Sequence, residues 1–173
     1  MVLYHGSALA ELPYIKANAK SHVTGEQVAY FSSDRVYALV CARQKTNRFV
    51  TMGYRSEDDK QHYFERFPDQ LEELYSGRTG YLYVLESEKG LDNLRDHSWE
   101  SRVDVHYDRC EQVDDLYQAI LEEEKLGNVV IHRYHEIDPA EQKMHANYIK
   151  EHMDSFAPEQ KEFNYKYFSS LWD

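Results

Sequence analysis

The stretch Gln27-Val28-Ala29-Tyr30-Phe31-Ser32-Ser33-Asp34-Arg35-Val36-Tyr37-Ala38-Leu39-Val40 changes its periodicity partway along. Its first part, Gln27 to Phe31, is short, apolar and aromatic, which is the composition of a strand. Ser32, Ser33 and Asp34 carry side-chain oxygens able to accept the unpaired N–H groups that open a helix. From Asp34 to Gln44, Val36, Leu39, Val40 and Arg43 then recur at i, i+3, i+4 and i+7, the spacing of one helical face. A strand running directly into a helix is therefore expected, with an aromatic at the strand end and hydroxyls at the helix start.

Upstream, Val2-Leu3-Tyr4-His5 reads as a strand closed by Gly6-Ser7. Residues 8–26 hold no sustained period and are broken by Pro13 and Gly25, so a loop with about one helical turn is expected. Downstream, Phe49 to Met52 reads as a strand, Ser56 to Lys60 as a charged hairpin tip, and His62 to Phe67 as the returning arm. Pro68-Asp69 opens a short helix to about Tyr75. Tyr81 to Leu85 is a strand, and Val103 to Tyr107 alternates as a half-buried strand does. Val113, Leu116, Tyr117, Ile120 and Leu121 form a helical stripe that ends at Gly127-Asn128, followed by a short strand over Val129 to Ile131. Asp138-Pro139-Ala140-Glu141 combines a cap, a proline at the first helical position and an early acid, which starts a helix running to about Met153. Another helix begins at Pro158. The pattern is α+β: one domain over 1–173, with strands interrupted by short helices and a C-terminal helical hairpin forming an extension over 139–173.

Composition narrows the function classes. The 173 residues carry a formal charge of −11, unevenly spread: residues 1–60 balance at +2 and residues 61–173 at −13. A nucleic-acid binder needs a basic stripe to neutralise phosphates, so no nucleic-acid partner is expected. The same acidity opposes an anionic membrane surface. No apolar run approaches the length of a transmembrane helix, and the first residues lack the basic and apolar regions of a secretory signal. Cys41 and Cys110 are too few for a disulfide framework or a cysteine-based zinc site. Cys41, on the apolar-rich helix, reads as buried filler. These features point to a cytoplasmic protein.

Nine histidines raise the question of a metal. His132 and His135 are three apart and His145 and His152 seven apart, so neither pair has the i, i+4 spacing of a helical zinc pair, and no metal is expected. G-x-S-x-G, G-x-x-x-x-G-K-[ST] and G-x-G-x-x-G are all absent. Two clusters remain. Tyr4-His5-Gly6-Ser7 puts a histidine at a strand end before a glycine that admits close backbone approach. Tyr30-Phe31-Ser32-Ser33 places an aromatic and two hydroxyls at a helix N-terminus, where the dipole favours an anionic or polar ligand edge.

With these two clusters in this order, the chain resembles the ADP-ribosyltransferase superfamily over about its first 40 residues. The resemblance implies split antiparallel β-sheets and NAD as substrate. His5, Gly6 and Ser7 would match the family's H-G-[ST] setting, which holds the NAD ribose and the nicotinamide amide. Tyr30, Ser32 and Ser33 would match Y-[FL]-[ST]-[ST], with Tyr30 stacking on nicotinamide, and Tyr37-Ala38 the Y-A pair of the following helix. The family's late acidic residue would be Glu100 beside Trp99, with Glu86 in reserve; its role is to stabilise positive charge on the ribose as nicotinamide leaves. The doubled E-x-E of arginine-specific members occurs nearby only as Glu86-Ser87-Glu88. A pocket that binds a nucleotide without turnover fits the same residues, and the acceptor is not named by them. The RNA 2′-phosphotransferase branch needs basic residues that the acidic balance does not supply. A different class stays open: a non-catalytic interaction module whose helices, with Tyr134, Tyr148, Tyr165, Tyr167 and Trp172, offer an aromatic surface to a partner or to a second copy in a homodimer.

Overall fold

A computed structural model describes residues 1–44, 49–55, 57–95 and 97–172. Ser56, at the start of the expected hairpin tip, and Asp173, the last residue of the expected extension, lie outside them. The fold is α+β. The chain clusters into two compact units, Met1–Gln44 with Tyr75–Leu126, and Lys45–Leu74 with Gly127–Asp173, where the sequence suggested one domain. The expected C-terminal extension belongs to the second unit and shares it with the segment before Leu74.

The first unit is built on a seven-stranded antiparallel sheet. Its strands are β1 (Leu3–Ser7), β2 (Ala19–Lys20), β3 (Gln27–Ser32), β6 (Gly80–Leu85), β7 (Asp92–Arg95), β8 (Ser98–Ser101) and β9 (Arg109–Val113). The order is β7-β8-β3-β1-β6-β9, with β2 pairing β3 as well. The two sides of β1 differ. Against β6 it makes five registered pairs, from Leu3–Leu85 to Ser7–Tyr81; against β3 it makes one, Tyr4–Ser32. The sheet is nearly split along that seam.

One side of this sheet holds the apolar cluster Leu3, Ile15, Ala29, Phe31, Tyr83, Leu85 and Trp99. The helix α1 (Arg35–Cys41) is capped by Asp34, whose side chain accepts the Tyr37 N–H, and buries Val36, Ala38, Leu39 and Val40. At Gly6 the backbone of α1 comes close to β1. A Cβ added there would lie 1.9 Å from the Ala38 carbonyl oxygen and 3.0 Å from Ala42 N, both backbone atoms that cannot swing aside. The second helix of the unit, α3 (Leu116–Lys125), ends before Gly127, whose φ of 78° suits a residue without a Cβ.

Several local expectations are corrected. β1 runs through Gly6 and Ser7 rather than closing there, because both pair with β6. Residues 8–26 contain β2, the bridge residue Ile15 and, as expected, one turn, closed by the Gly25 N–H on the Ser21 carbonyl at 3.0 Å. Val103 to Tyr107 is not a strand: Val103 is 67% exposed and only Val105 pairs, with Ile15. The strand of that region is β8, slightly earlier. β7 and β9 have little apolar alternation because they form the two sheet edges and face solvent along most of their length. Cys41 is exposed, since it falls outside the buried face of α1.

The second unit has a three-stranded sheet, β10-β5-β4, from β4 (Thr51–Arg55), β5 (Lys60–Phe64) and β10 (Val129–His132). β4 and β5 pair antiparallel, and β10 joins β5 in parallel. α2 (Gln70–Tyr75) precedes β6 in the chain. The C-terminal hairpin, α4 (Pro139–Glu151) and α5 (Pro158–Phe168), packs Ala146, Ile149 and Phe168 around Phe67.

Candidate functional site

β3 passes beside β8 so that Tyr30 stands directly opposite Glu100. Residues so paired point to the same side of a sheet with Cβ atoms about 5 Å apart. Glu100 is 1% exposed. A carboxylate this buried is costly unless its oxygens are satisfied. Its Oε2 accepts a hydrogen bond from the Ser21 hydroxyl at 2.9 Å. On β7, the residue opposite Glu100 is Asp92, which is drawn to Arg102 at 3.0 Å.

The Tyr30 hydroxyl is held by the loop after β2. It accepts the His22 N–H at 3.0 Å and donates to the Lys20 carbonyl at 3.4 Å, while the His22 ring stacks on the Tyr30 ring with centroids 6.2 Å apart. His5 lies across the seam. Its Nδ1 donates to the Tyr30 carbonyl at 2.9 Å, so in the neutral ring Nε2 carries the lone pair. The ring sits 5.9 Å from that of Phe31. His5 thus meets only the Tyr30 backbone, where β1 and β3 part: the Tyr4–Ser32 register and the contact with Phe31 put its side chain on the Phe31 side of the sheet, while the Tyr30 and Glu100 side chains share the other side.

The remaining expected residues divide by role. Gly6 is required by the packing of α1, which accounts for it without a ligand. The Ser7 hydroxyl accepts the Leu9 N–H at 3.1 Å in an exposed turn. Ser32 is buried and its hydroxyl accepts the Asp34 N–H at 3.0 Å. The Ser33 hydroxyl pairs with His97 Nδ1 at 2.9 Å, and the Ser33 N–H donates to the His97 carbonyl. These serines tie the end of β3 to α1 and to the turn before β8. Tyr37 is 43% exposed on α1, and neighbouring Cys41 and burial push its hydroxyl up to about 12, so it stays protonated at neutral pH. Tyr30 also acts on that hydroxyl, which brings Tyr37 into the same neighbourhood. Glu86, the reserve acid, is exposed at the sheet edge in an ion pair with Arg109 at 3.1 Å.

Sequence reasoning missed Ser21, His22 and His97. They stand in segments without periodicity, and no spacing relates Ser21 to an acid 79 residues away. Among the described residues no group of three or more His, Cys, Asp or Glu is placed to hold a metal, and no helix is long and apolar enough to cross a membrane. Comparison of the chain with protein-family models, curated proteins and solved structures finds no match.

Proposed function

We propose that the first unit binds NAD as substrate and that the chain is an ADP-ribosyltransferase-like enzyme passing ADP-ribose to a nucleophile on a protein or small molecule. The observation that carries this reading is the buried Glu100 on β8 set opposite Tyr30, both side chains on one side of the sheet; His5 reaches only the Tyr30 carbonyl, from the Phe31 side. Tyr30 and Glu100 are far apart in the chain, and their pairing is not a product of sequence proximity.

In the reaction the bond from the ribose anomeric carbon to nicotinamide breaks, nicotinamide departs with the bonding pair, and the acceptor supplies the new pair. Glu100 would stabilise the positive charge that grows on the ribose, most effectively because a buried carboxylate acts through little intervening water. Tyr30 offers an aromatic face fixed at its hydroxyl by Lys20 and His22. His5, held by its Nδ1 on the Tyr30 carbonyl, is the residue that the resemblance assigns to the NAD ribose. Calorimetry with millimolar NAD and an assay of nicotinamide release test the proposal. Binding and release should both fall in His5→Ala and Tyr30→Ala; a wild-type chain that shows no heat of NAD binding removes it.

A second reading is favoured by a separate observation in the second unit. Tyr148 on α4 and Tyr165 on α5 are 53% and 63% exposed, with the Tyr165 ring edge-on to Trp172 at 5.3 Å. Such a face suits a protein partner or a second copy of the chain. Tyr167 is not part of it, being packed on Phe67 and Phe163 with its hydroxyl on Glu73. Sedimentation of the wild type against Tyr148→Ser/Tyr165→Ser tests this reading; identical monomer masses remove self-association.

A further inference from the structure

In the second unit, three side chains form one row of hydrogen bonds. His62 on β5 is buried, with Nε2 2.9 Å from Asp58 Oδ2 and Nδ1 2.8 Å from Nε2 of His132 on β10. The two imidazole planes lie 24° apart, and the Phe64 ring stacks on His132 at 4.3 Å. The row crosses the parallel pairing of β10 with β5, which joins residues 127–173 of the unit to residues 45–74. Its hydrogens can be counted. The bond with His62 holds the Asp58 carboxyl below the usual carboxylate range, so Asp58 only accepts and His62 Nε2 carries a hydrogen. The gap between His62 Nδ1 and His132 Nε2 has room for one hydrogen: with none, two lone pairs face each other, and with two, the N–H groups collide. Of the four ring nitrogens, that leaves His132 Nδ1 to gain or lose a hydrogen. The closed row therefore holds two or three ring hydrogens, whereas two imidazolium rings carry four.

We propose that the Asp58–His62–His132 row is a proton-operated latch on β10: it stays closed while the two rings share one added proton and opens, freeing β10 from β5, when each ring takes its own. The charged surroundings set the direction of the switch. Burial first, then His62 and Arg55 of β4, hold His132 below the ordinary histidine value of 6.5, while Glu136, before α4, and Glu141 on α4 pull the other way. Lys60 acts on Asp58, and Arg66, 5.8 Å from the Phe64 ring centre, is paired with Glu141 at 2.9 Å. In an opened strand His132 is released from this restraint and binds its proton more readily. Opening therefore gains as pH falls below about 6.5 and is suppressed above it.

Hydrogen exchange of the full chain tests this, read by mass spectrometry over residues 127–137 and corrected for the intrinsic pH dependence of exchange. Between pH 7.5 and pH 5 the protection of β10 in the wild type should fall about tenfold or more, the effect of two sites coupled by at least one pK unit. His132→Gln sets a donor about where Nε2 stands and does not titrate. His62→Asn sets an acceptor about where Nδ1 stands, which receives the His132 N–H whatever the charge of that ring. In each variant the fall over β10 should stay within about twofold, and either one suffices should the other not fold. Exchange over α4 reports the separate effect of His145, whose pKa burial lowers to about 4 and which all three proteins carry. A wild-type fall over β10 no larger than that over α4 overturns the proposal, as does an equal fall over β10 in wild type and a folded variant.

Discussion

His145, on α4 in the second unit, makes the stability of the protein depend on pH in a way that can be worked out. Among the described residues its buried Nε2 has no hydrogen-bond partner, and its ring meets Phe49 and Phe168 edge-on, each with centroids 5.6 Å away. Burial first, and Arg66 second, push its pKa from 6.5 down to about 4. The folded state therefore binds this proton less readily than the unfolded chain. Stability is complete above the unfolded pKa, falls as pH drops from about 6.5 toward 4, and stops changing below that. Between pH 7 and pH 5 the linkage amounts to about 2 kcal/mol, or about 4–8 °C in melting temperature for a chain of this size. His132, whose pKa is also lowered by burial, adds a smaller effect of the same sign. Urea or thermal unfolding of wild type and His145→Leu at both pH values separates the two. The leucine variant should lose about 2 kcal/mol less than wild type on acidification. Equal losses in the two proteins would refute the argument that an unpartnered, buried His145 titrates with unfolding.

Three further outcomes follow from the geometry. Gly6→Ala should destabilise the first unit by more than about 3 kcal/mol, because the new methyl collides with the Ala38 carbonyl; a melt within a degree or two of wild type would contradict this. Under the proposed activity, Glu100→Gln, nearly isosteric, should keep the fold by circular dichroism while lowering nicotinamide release about 10²–10³-fold. In the second unit Asp58 accepts from His62 Nε2 at 2.9 Å, so the neutral His62 ring must accept at Nδ1 from His132 Nε2, 2.8 Å away. Nitrogen NMR should accordingly find the single proton of a neutral His62 ring on Nε2; a neutral ring with its proton on Nδ1 would turn the Nε2 lone pair to the Asp58 carboxylate and contradict the arrangement.

Much of the fold was legible where burial imposed a period. The strand Gln27–Ser32 and the Asp34-capped helix after it, the strand Gly80–Leu85, and the starts of α4 and α5 at Pro139 and Pro158 all lie close to where patterning and capping put them. The edge strands β7 and β9 were not legible, since a strand with solvent on most of its length needs no apolar alternation. Val103-Asp104-Val105 shows the converse, an alternation that only Val105 uses. The parallel pairing of β10 with β5 joins residues nearly 70 positions apart, a distance that local propensity does not encode.

The candidate site divides in the same way. By itself the sequence determined the kinds of residue available: a histidine before a glycine, a tyrosine before hydroxyls at a helix start, and an acid next to a tryptophan, because local chemistry is written in neighbouring residues. Only the tertiary structure decided which of them meet and what each does. Strand register set Glu100 opposite Tyr30, the parting of β1 from β3 brought His5 to the Tyr30 carbonyl, and helix packing rather than a ligand accounts for Gly6. Ser21 entered through a hydrogen bond across 79 residues. Burial made the difference throughout: it turned Glu100 from one acid among 31 into a carboxylate that needs a donor, and that demand is a property of the folded chain alone.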